Sequence, residues 1–450
     1  MNASLLHLMR CPFCDGELTA DCGHREGENL RYGILHCYCS KWPIVEGIPV
    51  IRKDAAGGWG ELLQLVEAGR FDDALKSCLS INICNGSVGT LPRIKHSIKG
   101  LLTSHWVGRW PRSLPRIGKR LADFSRSERL KVLWNQHSHD ATVQQYLAAF
   151  YSNMRDNYDY FFHRFSQPRY LVALSLASII RQPNGPLLDL ACGCGHVTRA
   201  LLARSEGQLV VGMDWSFFNL YVAKRWIAPD AHFVCCDADQ RYPFSDRAFA
   251  AVVCSDAFHY FVAKSTCFRE CERLTGDRGL LLLIYMHNAQ VRLPFDGIPL
   301  PVEGYESLAA HRPHRLLSDR GILAGYLRKE GPCLAKQVDI EELAAEPTLS
   351  LVVSHKNEVF RDYGPYSDWP HTYGRLSLNP LYVREGPVCW KRNLPSAFFE
   401  RDHHEIKDYL PDEVSIPPTL LESLDKQQRT AEMERLIAKC VILGLPDAYV

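Results

Sequence analysis

The feature that most constrains this chain is an apolar run that stops on a carboxylate and a cluster of glycines. Leu187-Leu188-Asp189-Leu190 has the pattern of a buried strand, and Ala191-Cys192-Gly193-Cys194-Gly195 follows at once. Residues 196–203 then turn helical. A strand, a glycine turn and a helix start let backbone N–H groups approach a ligand, because glycine has no Cβ in the way. Alone, the segment is equally a tight βα turn. Its weight comes from the strands downstream.

A second strand over residues 208–213 ends at Asp214, 19 residues after Gly195. An acidic side chain at that edge can accept both hydroxyls of a ribose. A third strand, residues 232–236, ends in Asp237-Ala238-Asp239, and a fourth, residues 250–255, ends in Asp256. A fifth, residues 279–286, follows a turn over residues 273–279. Each polar insert falls at a strand's carboxyl end, where doubly wound sheets bind ligands. The expected fold is therefore α/β, a doubly wound Rossmann-like sheet. A dinucleotide enzyme fits less well, because Thr198 stands where its fingerprint needs a third glycine.

In these residues, together with Gly212-Met213-Asp214, Tyr242-Pro243-Phe244 and Ser255-Asp256-Ala257-Phe258-His259-Tyr260, the segment resembles the class I S-adenosylmethionine-dependent methyltransferases. The likeness is strongest to those of the ubiquinone-biosynthesis type. The resemblance implies that Asp189 and the glycine turn hold the donor's amino-acid part, Asp214 its ribose, and Asp237 with Ala238 its adenine. The candidate donor-binding residues are Asp189, Ala191, Gly193, Gly195, Asp214, Trp215, Asp237, Ala238 and Ser255. Phe249-Ala250 departs from the family's Phe-Asp, at a position that supports the donor rather than touching it.

The N-terminus carries a second signal. Cys11-Pro12-Phe13-Cys14 and Cys37-Tyr38-Cys39 are two close pairs with 22 residues between them, and short turns can bring such thiolates together on a structural zinc. Cys22 and His24 could replace a ligand, and four unliganded thiols are the plainer alternative. A module of this size has little core of its own, which favours the metal. The run Leu5-Leu6-His7-Leu8-Met9-Arg10-Cys11 and the closing Trp42-Pro43-Ile44-Val45-Glu46-Gly47-Ile48-Pro49-Val50 resemble the Trm112-like zinc ribbons. That resemblance implies a built-in version of a methyltransferase partner. Seventeen cysteines with no secretory leader point to free thiols plus a metal site, and to the cytoplasm.

At 450 residues the chain exceeds one core. We expect a zinc ribbon over 1–55, a helical segment over 56–182, and a methyltransferase domain over 183–390 with an insert at 290–340. A C-terminal extension covers 391–450. Within the helical segment, residues 59–80 should form one helical hairpin. Residues 92–131 are strongly basic and hold Trp106 and Trp110, a surface for phosphates or a solvated helical face. The net charge of +1 supplies no global pull towards polyanions, and no run is apolar enough to span a membrane.

Methyl transfer is an in-line displacement that needs alignment and, for many acceptors, a base. His287, His259 and Tyr260 follow the fifth and fourth strands and are the candidate catalytic residues. Asn379-Pro380-Leu381-Tyr382 resembles the Asn-Pro-Pro-Tyr motif of amide and adenine methyltransferases, but it lies over a hundred residues too late and should be structural, near a strand over 376–383. His403-His404-Glu405 should be a solvated turn rather than a metal site. The expected activity is methyl transfer to a small or medium metabolite. The alternatives are methylation of RNA or protein held by the basic run, and a donor-binding scaffold without turnover.

Overall fold

The computed structural model describes residues 1–52, 58–81, 128–130, 132–133, 140–292, 297–369 and 372–450. After a short helix, α1 (Ala3–Leu8), come four strands: β1 (Thr19–Glu26), β2 (Asn29–His36), β3 (Lys41–Val45) and β4 (Ile48–Ile51). They pair antiparallel in order. Glu46 and Gly47, at φ 51° and 72°, make the left-handed two-residue turn that a tight hairpin requires. The expected helical hairpin is α2 (Gly58–Glu67) and α3 (Phe71–Ile81), and α4 (Val143–Phe150), α5 (Arg155–Phe162) and α6 (Pro168–Ala177) come later in the chain. The basic run 92–131 lies almost wholly outside the described residues.

The central elements are β5 (Leu187–Leu190), α7 (His196–Leu202), β6 (Val210–Asp214), α8 (Phe217–Val222), β7 (His232–Cys236), β8 (Ala251–Ser255), α9 (Lys264–Thr275), β9 (Leu280–His287), α10 (Val302–Ala309), β10 (His314–Ser318), α11 (Asp319–Leu327) and β11 (Thr348–Ser354). Their order in one sheet is β7-β6-β5-β8-β9-β11-β10. β7 to β9 are parallel and β11 and β10 antiparallel. The chain winds outward from β5 to one side and then to the other, so the switch point lies between β5 and β8, where such sheets bind ligands. Alternate residues of each strand feed two separate apolar cores, Leu187, Val210 and Val253 into one and Leu188, Val211 and Val252 into the other. Burial on both faces explains the unbroken apolar runs.

The N-terminal module does not stand apart. β4 pairs in parallel with β7, Val50 beside Cys235 and Ile51 beside Cys236, which extends the sheet to eleven strands. Met1, Leu5, Met9, Trp42 and Ile44 enter the same core as Val211 and Met213.

Three details differ from the sequence reading. The segment 290–340 is no mere insert, because it supplies β10, the sheet's far edge strand, and α11. His314-Arg315-Leu316-Leu317-Ser318 is only partly buried, so it lacks the apolar signature of a central strand. The turn expected over 273–279 begins later, since α9 runs to Thr275 and stops at Gly276, φ 58°. The late strand splits at Asn379-Pro380 into β12 (Arg375–Leu378) and β13 (Tyr382–Arg384), which join different small sheets of the C-terminal region. Asn379 is structural as expected: its Nδ2 donates to the Cys440 carbonyl at 2.8 Å and its Oδ1 accepts from Leu381 N at 3.0 Å. No described helix is long and apolar enough to cross a membrane.

Gly212 sits mid-strand in β6 because a Cβ there would come 2.6 Å from the Phe233 ring and 2.9 Å from Cys192 Sγ. Gly212→Ala should cost about 1–3 kcal/mol, the range for overpacking a closed core, read as a lowered midpoint in thermal or urea unfolding. An unchanged midpoint would mean that β6 and β7 are less tightly packed than described.

Candidate active site

On one side of the switch point the glycine turn builds a cradle. Ala191, Gly193 and Gly195 all have left-handed backbones, at φ 56°, 54° and 80°. A Cβ at Gly195 would come 2.8 Å from that of Ala223, so the helix start can approach only as glycine. Asp189, at the end of β5, accepts from Thr198 Oγ1 at 2.6 Å. Asp214 caps the next strand, its Oδ2 taking Gly193 N at 2.9 Å and its Oδ1 taking Ser216 N at 2.8 Å. Burial pushes Asp189 up to about 7. It pushes Asp214 up to about 6 against the pull of the Ser216 and Gly193 amides. Trp215 is 41% exposed at this mouth. Asp237 is exposed, its Oδ1 taking Asp239 N at 3.0 Å, and Ala238 is half-buried beside it. Ser255 Oγ is buried without a hydrogen-bond partner among the described residues.

On the other side, Asp256 is again left-handed, at φ 57°, and fully enclosed. Its Oδ2 accepts from Tyr160 Oη at 2.8 Å, Arg164 Nη1 at 3.0 Å and Arg169 Nη1 at 2.8 Å. Burial alone would raise this carboxyl, but the guanidiniums of Arg169 and Arg164 outweigh it and hold it well below the usual carboxylate range. Arg169 Nη2 also donates to Asp402 Oδ1 at 2.6 Å, so the C-terminal region closes the far side.

The three expected catalytic residues meet here. The rings of His259 and His287 stack at 3.7 Å between centroids and 14° between planes, and Tyr260 lies 4.2 Å from His259 at the mouth, 48% exposed. Both histidines are buried, and neither ring nitrogen of His259 has a partner among the described residues. Burial lowers His287 to about 4 and, with His287 beside it, lowers His259 further, so both rings are neutral near pH 7. Asp256, His259 and His287 offer ligand atoms within 4.8 Å of one another. Two guanidiniums already crowd the carboxylate, however, and added divalent charge there is opposed by Coulomb repulsion. The set suits proton handling better.

The sequence reading missed Tyr160, Arg164 and Arg169. A signal was present, since Arg169 opens a helix whose other residues are almost all apolar, and a buried arginine needs a carboxylate partner. His403 also differs from expectation. It is buried, with Nδ1 3.2 Å from Arg169 Nη2, and only His404 faces solvent as expected of the turn.

The four cysteines converge as their spacing implied. Cys11 Sγ lies 3.5 Å from Cys39 Sγ, Cys37 3.5 Å from Cys39, and Cys14 3.8 Å from Cys37. A tetrahedral zinc with bonds of about 2.3 Å needs sulfur separations of about 3.8 Å, so the set fits the ion. Cys22 and His24 are not part of this group.

Asp189 generates a test. Its folded pKa lies above the unfolded value, so the native state holds the extra proton, and stability falls as pH rises from about 4 to about 7. Asp189→Asn removes that penalty. It should be roughly 2–4 kcal/mol more stable than the parent chain at pH 8, with the gap closing by pH 4 in urea unfolding. A gap independent of pH would show that Asp189 is not buried as an acid.

Residues 188–283 match the family profile described as a methyltransferase domain. Over 98 residues the chain is 33% identical to a demethylmenaquinone methyltransferase of Thermotoga maritima, an overlap of 22% of this chain and 42% of that protein. Over 97 residues it is 31% identical to a malonyl-[acyl-carrier protein] O-methyltransferase of Legionella pneumophila, covering 21% and 34%. The chain thus spans less than half the length of these curated relatives. Among solved structures, a complex of the Haloferax volcanii Trm112 methyltransferase activator with a methyltransferase overlaps 45% of this chain and 96% of that one, at 17% identity and a TM-score of 0.33. Phosphoethanolamine N-methyltransferase 2 of Haemonchus contortus, in complex with S-adenosylmethionine, overlaps 38% and 48%, at 16% identity and a TM-score of 0.29. Overlaps at those scores say nothing further of function. The sheet order, the glycine turn and the profile match agree on one conclusion: residues 188–283 form a class I S-adenosylmethionine-dependent methyltransferase domain.

Proposed function

We propose that the chain transfers a methyl group from S-adenosylmethionine to a small or medium metabolite, as a biosynthetic tailoring step. The observation that carries this reading is the meeting, at one sheet edge, of the donor carboxylates Asp189 and Asp214 with the stacked pair His259 and His287. In this reading Asp189 and the turn Ala191, Gly193 and Gly195 hold the donor's amino-acid part, and Asp214 takes the ribose hydroxyls. Trp215, Asp237 and Ala238 border the adenine, and Ser255, whose buried Oγ is unpartnered among the described residues, ends β8 beside them in this reading. The donor supplies an electrophilic methyl on a sulfonium, so the chain's own work is to align the acceptor and receive its proton.

His287 is the proposed base and His259 its neighbour across the stack, with Tyr260 orienting the acceptor at the mouth. An imidazole lowered to about 4 is a weak base, yet it suffices. A hydroxyl or amine that has begun to bond to methyl is already far more acidic than it was free. The enclosure of the pair by α5, α6 and the Arg169–Asp402 contact favours a compact acceptor over a polymer. The names of the relatives, which specify demethylmenaquinone and malonyl-[acyl-carrier protein], agree with a biosynthetic role. The ubiquinone-type likeness belongs with the same reading.

For the ribbon we propose a structural zinc on Cys11, Cys14, Cys37 and Cys39, and a Trm112-like role as a built-in partner. Buried free thiols such as Cys235, Cys236 and Cys254 fit a cytoplasmic setting.

Cell extract incubated with methyl-labelled donor and read by mass spectrometry should yield one labelled small product; label only in protein or RNA would reject the substrate class. On that product, His287→Ala should lower turnover by about 10²–10⁴-fold, the usual worth of a general base, with donor affinity unchanged. The acid limb of the parent enzyme should fall near pH 4 to 5 and be absent from the variant. A limb that persists would pass the role to His259. For the metal, purified chain should contain about one zinc, lost in Cys37→Ser. Elemental analysis finding none in protein kept from chelators would remove the zinc.

A further inference from the structure

Because β4 runs parallel to β7, its carboxyl end reaches the same sheet edge as Asp214. One residue beyond β4, Arg52 Nη1 donates to the carbonyl oxygen of Trp215 at 2.9 Å. The Arg52 guanidinium carbon lies 5.7 Å from the centre of the Trp215 indole, within cation–π range. Trp215 follows Asp214 directly, and its backbone opens the turn that Asp214 caps through Ser216 N. The charge of Arg52 also favours the ionised form of Asp214.

The ribbon holds the neighbouring loop as well. Asp15 Oδ1 accepts from Arg241 Nη2 at 2.8 Å, Arg10 N donates to the Pro243 carbonyl at 3.0 Å, and Gln240 Nε2 donates to the Ile51 carbonyl at 3.4 Å. That loop starts at Asp237 and Ala238. Both borders of the expected adenine and ribose subsite are therefore fastened to the N-terminal module, one through Arg52 and one through the turn that bears Cys11 and Cys14.

We propose that Arg52 is a positioning residue for the methyl donor: it fixes Trp215 against the donor's nucleoside, so that the ribbon completes the donor site instead of only supporting the sheet. The inference rests on the proposed donor reading. Physically, a half-exposed indole at a strand end is free to rotate, and a guanidinium that both bonds its carbonyl and lies over its ring removes that freedom before the ligand arrives.

Calorimetric titration of full-length chain with S-adenosylmethionine and with S-adenosylhomocysteine tests this. Arg52→Ala should weaken both by about 3- to 10-fold, and Arg52→Lys, which keeps charge but not the planar stack, should recover part of the loss. Trp215→Ala should weaken binding at least as much, and the double variant should be no weaker than Trp215→Ala alone. Arg31→Ala, at the opposite end of β4 beside Glu46, should lower the melting temperature but leave donor affinity within about twofold, which separates local positioning from general ribbon stability. Arg52→Ala binding within twofold of the parent chain, or losses that multiply in the double variant, would overturn the inference and leave the donor reading intact. A parent chain that binds neither compound would overturn both.

Discussion

Parallel pairing is the constraint on which the rest of this molecule depends. A parallel strand can follow another only after a return across the sheet, so every strand from β5 to β9 ends at the same edge. That edge collects the groups of the proposed site: the glycine turn, Asp189, Asp214, Asp237, Asp256 and the two stacked histidines. Ala191 and Asp256, two residues with side chains held in left-handed backbones, sit where β5 and β8 run out. Such strain persists only where surrounding structure insists on it, and both positions flank the switch point.

Charge is distributed along the edge in two different ways. Asp189 and Asp214 are buried against backbone amides and a hydroxyl, which leaves them half-inclined to hold a proton and receptive to hydroxyls or to positive charge. Asp256 is the opposite case, saturated by Tyr160, Arg164 and Arg169. That carboxylate is a fastener. It pins α5 and α6 over the sheet, and through Arg169 it reaches Asp402 in the C-terminal region, so three distant stretches of chain share one buried ionic knot. Breaking such a knot from one side strands a charge, which is why the neutral histidines beside it are the better candidates for moving protons.

Much of this was legible in the amino-acid order because the informative signals are local. Apolar runs mark β5 to β9 to within about two residues, their terminal carboxylates mark the sheet's carboxyl edge, and the cysteine pairs mark the cluster. What stayed hidden is non-local. Nothing near Arg52 announces Trp215, which lies 163 positions away, and nothing near Arg164 announces Asp256, 92 positions away. β10 escaped notice because an edge strand is wet on one side and loses the apolar signature that central strands carry. His403 was misplaced for the same reason as Arg169: its burial is imposed by a partner from another domain-sized stretch of sequence.

The seam between β4 and β7 has a consequence for how the chain is made. Val50 and Cys235 stand side by side but are separated by 185 positions along the chain. At roughly 5–20 residues per second, the ribosome delivers β7 about ten to forty seconds after β4. Through that interval the N-terminal module carries an apolar strand with one side of its hydrogen-bonding ladder unclaimed, the arrangement that recruits stray strands from other molecules. The N-terminal module is thus a debtor during synthesis and a buttress afterwards, and the pace of translation across residues 52–236 sets how long it waits.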